Sequence, residues 1–387
     1  MTWKTMDVHE QRVQFVVTAS RAEQPLCRLC QEFGISRPTG LLWMKRFRES
    51  GLAGLVERSR RPQRSPRQTA AELEAPVVEL RRRYPDWGAR KLQVLLREQG
   101  VHLPRNTIHR ILLRHGLVQD EPRQASATQR FERATPNQLW QMDFKGAKRS
   151  WTPALGPLSV IDDHSRYVVA LEAVPSMRAE AVREPLESVF AASGVPDAML
   201  MDHGTPWWSM QSPGGLTELS IWLMKQGIEL YWSGIRHPQT QGKVERFHGE
   251  MQRALDRRPP MAGDAQAWLD EFRWEHNHVR PHEALGMRTP ASVWHPSARR
   301  YDPKPPAWEY APGGKVLKVD CEGKVDAWGQ RWRIAVGLSG EPVNLVRIEE
   351  RVLVFYCRTL IRELNLGMQC STIVEHCIPA KAPYLKP

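Results

Sequence analysis

The sequence predicts a multidomain protein with an all-α front of helix-turn-helix units, a central α/β core and a C-terminal small β barrel. Three observations lead to this fold class. Two basic helix-turn-helix patterns lie before residue 120, strand and helix patterns alternate through residues 136–300, and short alternating runs broken by glycine lie within 313–387. A length of 387 residues suits several domains.

The composition indicates a folded chain that does not enter a membrane. At 41% hydrophobic and 25% charged residues, the chain can bury ordinary cores. No apolar run approaches the roughly 18 residues of a membrane span, and the polar start is unlike a signal peptide. We therefore expect a cytoplasmic protein without a membrane partner. Cys27 and Cys30 lie inside a helical pattern with no further ligands at zinc spacing, so we interpret both as small helix residues.

Positive charge is concentrated at the front of the chain. The net charge is +12, and residues 1–125 hold 23 Lys and Arg against 13 Asp and Glu, whereas the remaining residues are nearly neutral. A basic end on a near-neutral body predicts a polyanionic partner that is bound by the front of the chain.

The first helix-turn-helix domain is expected over residues 1–57. Gly34 supplies a tight turn and Ser36 can cap the helix that follows. On that second helix we expect four apolar residues to face the core: Leu41, Leu42, Met44 and Phe47. Three basic residues of the same helix are then available to double-stranded DNA: Arg37, Lys45 and Arg46.

A basic linker, residues 58–70, joins this domain to a second one. It holds Pro62 and Pro66, which exclude a core helix, and its candidate DNA contacts are Arg58, Arg60, Arg61 and Arg64. The segment is interpreted either as a solvated linker or as an arm that follows phosphates or enters a minor groove. The second helix-turn-helix domain spans 71–120, with Arg105 and Arg110 as candidate DNA contacts.

After a further linker, residues 121–135, the pattern from 136 to 300 changes to three strands, helix, strand, helix, strand, helix. This order matches an α/β core of the RNase H-like type. One strand pattern contains an acid, Asp143, and another ends in one, Asp202. A buried acid costs several kcal/mol unless it is paired or bound to a metal. Glu245 lies in the first turn of the last helix, whose other face is apolar.

Three carboxylates without Cys or His suit Mg²⁺ or Mn²⁺. Two such ions, about 3.5–4 Å apart, can clamp the attacking and leaving oxygens of a phosphoryl displacement. We therefore predict that Asp143, Asp202 and Glu245 are catalytic metal ligands for two divalent ions.

Three sequence blocks resemble the catalytic blocks of bacterial insertion-sequence DDE transposases, whose core is similar to that of retroviral integrases. These blocks are Trp140–Asp143, Asp202–Trp207 and His237–His248, and the family's strand hairpin and its segment after the catalytic helix resemble Asp162–Arg166 and Asn277–Leu285. The resemblance covers roughly residues 10–300. It departs in two places: His203 stands where many relatives have Asn, and the loop around 207–215 lengthens the spacing from Asp202 to Glu245.

The resemblance implies a transposase that binds the terminal repeats of a mobile element, cleaves the 3′ ends and transfers them into target DNA. It also implies a bacterial, nucleoid-associated protein that is at least a homodimer when two DNA ends are held together. Two alternatives stay open: a catalytically silent DNA-binding regulator derived from a transposase, and a plain nuclease of RNase H-like fold. Lys243 and Arg246 flank Glu245 and are further candidate DNA contacts, with a solvated face as the alternative.

Other polar and aromatic residues of the core are assigned to a turn, to core packing or to DNA bases. Turn chemistry explains Asp162 and Asp163 at the end of a hairpin. Trp207 and Trp208 either stack on DNA bases at a cut end or pack in the core, and core packing is favoured for Trp232. A Pro-rich linker, residues 301–312, then leads to residues 313–387, which are expected to form the small barrel.

Overall fold

A computed structural model describes residues 7–57, 68–118, 132–145, 156–209, 215–232, 242–261 and 264–374. The chain divides into two compact units, one that ends at Thr69 and one that begins at Ala70. No helix of the described residues is long and apolar enough to cross a membrane. The basic segment with Arg58, Arg60, Arg61 and Arg64 lies outside the described residues.

The described residues of the first unit form three helices and a short 3₁₀ turn. The helices are α1 (Val8–Ser20), α2 (Leu26–Glu32) and α3 (Arg37–Ser50), and the turn is Gly51–Leu55. Gly34 has a φ of +63°, and the Ser36 hydroxyl accepts a hydrogen bond from the Thr39 amide at 3.3 Å, so both predicted turn features are confirmed. Cys27 and Cys30 are residues of α2, as expected.

The predicted inward face of α3 is partly wrong. Met44 is buried and Phe47 is half-buried, but Leu41 and Leu42 have 51% and 45% of their surface exposed. The face that meets α1 and α2 instead begins at Gly40, and Gly40, Met44 and Phe47 share it because they are spaced by four and three residues. A Cβ atom at Gly40 would lie 2.5 Å from Cys30 Sγ and 2.9 Å from Phe15 Cζ. The missing side chain is therefore what allows the helices to approach.

The second unit opens with three more helices, α4 (Ala71–Arg83), α5 (Ala89–Glu98) and α6 (Arg105–Arg114). Their shared core contains Trp87, Leu92, Leu96, Ile108 and Ile111. These six front helices agree with the two predicted helix-turn-helix patterns.

The α/β core follows in the predicted element order. Its elements are β1 (Trp140–Phe144), β2 (Leu158–Asp162), β3 (Val168–Glu172), α7 (Ala179–Ser193), β4 (Ala198–Met201), α8 (Glu218–Lys225), β5 (Glu229–Trp232) and α9 (Gly242–Arg257). The sheet order is β3-β2-β1-β4-β5, in which the first three strands are antiparallel and β1, β4 and β5 are parallel.

Helices cover both faces of this sheet. Phe190 of α7 and Trp222 of α8 pack on the side of Trp140. On the opposite side, α9 buries Val244, Phe247, Met251 and Leu255 against β2 and β3, together with α10 (Ala265–Trp274). The apolar face that was predicted for α9 is confirmed, and it fixes α9 across the sheet.

The C-terminal region is an open sheet and not the predicted barrel. Strands β6 (Lys315–Lys318), β9 (Pro342–Ile348), β10 (Arg351–Tyr356), β11 (Thr359–Asn365) and β12 (Cys370–Ile373) pair in the order β12-β11-β10-β9-β6, beside a hairpin of β7 (Lys324–Ala327) and β8 (Gln330–Arg333). Among the described residues the two end strands do not pair, so the sheet does not close. Its buried side chains join the same hydrophobic cluster as α7 and α8. Because the hairpin and the core cover this apolar face, the sheet does not need to curl onto itself.

Substitution of Gly40 by Ala should destabilise the first unit, although Ala is ordinarily favoured over Gly inside a helix by roughly 1 kcal/mol. The added methyl group overlaps Cys30 Sγ and Phe15 Cζ, and such overpacking costs about 1–3 kcal/mol. Amide hydrogen exchange of α1–α3 in the full-length protein measures this loss. The double variant Gly40→Ala/Cys30→Ala removes the sulfur and should recover part of the loss; an increase in protection for Gly40→Ala alone would contradict the close approach.

Candidate active site

The strand pairing brings two of the three predicted acids side by side. β1 and β4 are parallel neighbours in which Trp140 pairs with Met199 and Gln141 with Leu200. The same register, continued by two residues, sets Asp143 level with Asp202, which follows β4 directly. Neighbouring strands lie about 4.8 Å apart, and residues in register on parallel strands share one face of the sheet.

The third acid comes from α9. Glu245 is exposed in the first turn of this helix, while its neighbour Val244 is buried in the core. The pKa of Asp143 is raised to about 7 by burial of the carboxyl group, by the charge of Asp202 and, to a smaller extent, by the charge of Glu245. The charges of Asp202 and Glu245 therefore both contribute to the raised pKa of Asp143, as expected for carboxylates in the same region.

The donor chemistry of this region fits a divalent cation. Three carboxylates supply hard oxygen ligands, and their mutual repulsion is relieved when a cation binds between them. In the described part of the chain, however, no group of three His, Cys, Asp or Glu side chains converges closely enough to hold one metal ion. The metal-ligand role of the acids therefore stays a prediction.

Two donors hold the Asp202 carboxylate. The Gly204 amide donates to Asp202 Oδ1 at 3.1 Å, and the Trp207 indole Nε1 donates to the same oxygen at 2.5 Å. Trp207 is 1% exposed and stacks on Phe144, with a ring-centroid distance of 5.3 Å. This hydrogen bond was not foreseen from the sequence, and it orients Asp202 from the loop that lengthens the chain after it.

The other aromatic residues of this loop region differ in exposure. Trp232 is buried, as favoured from the sequence. Trp208 is half-buried and makes edge contacts with Trp232 and with His203, with ring centroids 5.0 Å and 5.1 Å apart. Trp207 and Trp208 are thus both packed against other aromatic rings, next to Asp202.

His248 is a neighbour of Asp143 that sequence reasoning did not single out. Its Nε2 lies 2.9 Å from Ser159 Oγ, and its Nδ1 lies 3.7 Å from Asp143 Oδ2. Burial, with a contribution from the charge of Lys145, lowers the pKa of His248 to about 3, so the ring is neutral at pH 7. The only sequence signal was its position one turn after Glu245 on the same helix face.

The turn between β2 and β3 does more than the predicted turn chemistry. Asp162 fulfils that role, since it accepts hydrogen bonds from the amide and hydroxyl of Ser165. Asp163 is fully buried and accepts from Gln141 Nε2 at 2.8 Å and from Lys243 Nζ at 2.5 Å. The ion pair between Asp163 and Lys243 ties the first turn of α9, and with it Glu245, to the sheet.

The predicted DNA contacts in the described residues lie in different surroundings. Arg37, Arg105 and Arg110 are exposed on α3 and α6. Lys45 is exposed and pairs with Glu49 at 3.9 Å, and the guanidinium of Arg46 lies 4.9 Å from the centroid of the Trp43 ring. Arg246 has a side chain that is 79% exposed, whereas Lys243 is mostly buried against Asp163. A DNA contact at any of these residues stays a prediction, and residues 237–241 of the third sequence block lie outside the described residues.

The segment after α10 braces the core. It forms a π-helical turn, Glu275–Val279, in which the Asn277 side chain accepts from the Val168 amide at 2.9 Å and donates to the Val168 carbonyl at 3.0 Å. Arg280 forms an ion pair of 2.8 Å with Glu250 of α9. Through these contacts the segment joins β3 to the middle of α9.

Comparisons with known proteins agree with this architecture. Integrase core domain models match residues 133–238 and 226–290, and a homeodomain-like domain model matches residues 39–112. An uncharacterized 31.7 kDa protein of insertion element IS407 from Burkholderia multivorans is 25% identical over 57% of this chain and 79% of its own length. An uncharacterized 39.2 kDa protein of insertion element IS476 from Xanthomonas euvesicatoria is 25% identical over 62% of this chain and 69% of its own length.

Two solved structures are also similar. The catalytic core domain of the HTLV-2 integrase, in complex with magnesium, has a TM-score of 0.33 and 16% identity, and the match covers 42% of this chain and 99% of that domain. A chain of the simian T-cell lymphotropic virus intasome, in complex with a PP2A regulatory subunit, has a TM-score of 0.37 and 16% identity, over 78% of this chain and 96% of that chain.

The protein is therefore an integrase-core protein with homeodomain-like helices in front of the core. Its similarity to proteins of two bacterial insertion elements agrees with the insertion-sequence transposase family that the sequence blocks resemble.

The raised pKa of Asp143 predicts an unusual pH dependence of stability. The folded protein holds a proton on Asp143 up to about pH 7, whereas the unfolded chain releases it near 3.8. The stability that this proton contributes is complete below pH 3.8 and is lost as the pH rises through 7. Asp143→Asn should therefore be more stable than the unsubstituted, metal-free protein at pH 8 by on the order of 2–4 kcal/mol.

Thermal unfolding of both proteins between pH 5 and pH 8 measures this difference, which should shrink towards pH 5. Asp326→Asn is the control, because the Asp326 side chain is 83% exposed. Parallel stability curves for Asp143→Asn and the unsubstituted protein would show that the pKa of Asp143 is not raised in the folded protein.

Proposed function

We propose that this protein is a DNA transposase that binds the terminal repeats of a mobile element, cleaves the 3′ ends and transfers them to target DNA. The observation that supports this function best is the register of β1 and β4, which sets Asp143 level with Asp202. The charges of Asp202 and Glu245 both contribute to the raised pKa of Asp143. The integrase core domain and the insertion-element relatives support the same reaction class.

In this proposal the three acids hold two Mg²⁺ or Mn²⁺ ions. When bound, such ions lower the pKa of water and stabilise the charge that develops on the transferring phosphate. The chain itself contributes positioning. Trp207 and Gly204 hold one oxygen of Asp202, which leaves the other oxygen for a ligand. The ion pair of Lys243 with Asp163 fixes the turn that presents Glu245.

In this proposal the front helices recognise the DNA site. We propose that residues 1–57 and 71–120 are two DNA-binding domains, that 136–300 is the catalytic domain, and that 313–387 is a third folded region, with 58–70, 121–135 and 301–312 as linkers. Exposed basic residues on α3 and α6 support binding to double-stranded DNA, since recognition helices present such residues to the major groove. At least two protomers hold the paired element ends, and the protein acts on nucleoid DNA in the bacterial cytoplasm.

Loss of one acid should abolish chemistry without loss of DNA binding. Glu245→Gln removes a charge worth several kcal/mol in the transition state, so cleavage of an end-repeat duplex in Mn²⁺ should fall roughly 1,000-fold or more. Glu218→Gln is the matched control, because Glu218 is also exposed in the first turn of a core helix. Denaturing gels resolve the cleaved and joined products.

Asp202→Asn should behave like Glu245→Gln. Specific end-repeat binding by the unsubstituted protein, without any cleavage, would favour the silent regulator over the transposase. Cleavage without joining to a second duplex would favour the plain nuclease.

The exposed arginines of α6 should contribute through DNA phosphates. Arg105→Ala and Arg110→Ala should each weaken binding and reduce the slope of log affinity against log salt by about 0.9 for each phosphate that the arginine no longer neutralises. Arg347→Ala in the C-terminal sheet is the control, since its side chain is 47% exposed and far along the chain from the front helices. Fluorescence anisotropy across a range of salt concentrations gives both quantities, and unchanged slopes would remove α6 from the DNA interface.

A further inference from the structure

The turn between α4 and α5 is fastened to the last turns of the helix that carries Glu245. Asp86 lies in this turn and forms a bidentate ion pair with Arg257 of α9. The Nε of Arg253, one turn earlier on α9, lies 3.7 Å from Asp86 Oδ1. Only 16% of the Asp86 side chain is exposed. Solvent therefore screens the interactions of Asp86 with Arg253 and Arg257 less than those of an ordinary surface ion pair.

Apolar and stacking contacts lie directly beside the ion pairs. Trp87 is 2% exposed, and the Arg280 guanidinium lies 5.7 Å from the centroid of its indole ring. Arg280 also pairs with Glu250, again on α9. Val279 packs against the hydrophobic cluster of α4–α6, although it belongs to the turn that braces the core.

These contacts relate the second helix-turn-helix domain to the acids by a rigid element. Glu245 and Arg257 are twelve residues apart on one α-helix, which corresponds to about 18 Å along the axis. Arg90 adds a peripheral ion pair of 3.5 Å with Glu283. These contacts show that the α4–α6 domain is packed against α9 and is not joined to the core by a linker alone.

We propose that Asp86, through Arg253 and Arg257, is a positioning residue that sets the cleavage register. The position at which α6 binds the element end then determines which phosphodiester bond lies at Asp143, Asp202 and Glu245 of the same protomer. This proposal rests on the proposed transposase function, and it adds that the second helix-turn-helix domain measures the distance to the cut.

The first test reads the cut position at single-nucleotide resolution. Full-length protein, an end-labelled end-repeat duplex and Mn²⁺ should give one cut bond with the unsubstituted chain. Asp86→Arg should spread the cuts over neighbouring bonds, and so should Arg257→Asp. The double variant Asp86→Arg/Arg257→Asp restores opposite charges and should restore the single cut. A single cut with Asp86→Arg, or spread cuts with the double variant, would overturn the proposal.

Glu187→Arg is the matched control, because it reverses the acid of a 2.7 Å ion pair with Arg183 on α7, away from this interface. It should leave the cut position unchanged. A spread of cuts in this control would mean that any broken ion pair disturbs the register, which also speaks against Asp86.

The second test needs neither DNA nor metal, so it separates this proposal from the transposase function. In the full-length protein, amide hydrogen exchange in the last two turns of α9 and in α5 should accelerate at least about tenfold in Asp86→Arg, while β1 and β4 keep their protection. The charge-reversed double variant should recover the slow exchange. Unchanged exchange in Asp86→Arg would overturn the positioning role even if cleavage occurs. The expected exchange pattern in a protein that never cuts DNA would leave the docking intact and refute the transposase function alone.

Discussion

Burial of the Asp143 carboxyl group beside a second acid, Asp202, is the constraint on which the arrangement of the core depends. The parallel pairing of β1 with β4 sets Asp143 beside Asp202, and Glu245 lies in the first turn of α9, where its charge also raises the pKa of Asp143. Burial and these two like charges raise the pKa of Asp143 to about 7. Other interactions in the fold must offset the cost of placing Asp143 close to these like charges. The contacts around the acids provide such interactions.

Two kinds of contact do this holding. Apolar packing anchors α9, because Val244, Phe247 and Met251 fill the face that meets β2 and β3. Buried polar pairs then fix the local geometry: Lys243 binds Asp163, and Trp207 donates to Asp202. A buried ion pair contributes little net stability, but the loss of one partner is expensive. The pair of Lys243 with Asp163 therefore specifies where the first turn of α9 lies more than it adds to stability.

Periodic patterns made much of this architecture predictable. The order of strands and helices, the apolar face of α9 and the turn at Gly34 all follow from spacing and turn chemistry, which are local properties. Asp143 and Asp202 could be predicted because an acid within or directly after an apolar strand is unusual, and Glu245 because its helix has an apolar face and its sequence block resembles a known catalytic block. Closure of the C-terminal sheet was predicted wrongly, since the sequence of a strand says little about what covers its face. Leu41 and Leu42 were misplaced because the close helix approach at Gly40 depends on Cys30 and Phe15, which belong to other helices.

Polar pairs between distant segments have no such periodic signature. Asp163 and Lys243 are 80 positions apart, and Asp86 and Arg257 are 171 apart. Each residue alone reads as an ordinary surface charge. Glu250 illustrates the point, because it is buried, which favours its neutral form, yet Arg280 and His276 outweigh burial and lower its pKa. An ionised Glu250 in the middle of α9 thus joins the braced π-helical turn, Arg280 and, through Arg280, Trp87 of the α4–α6 cluster to the helix of Glu245. Since charge pairs are directional, this junction fixes an orientation that an apolar contact of similar size would leave less defined.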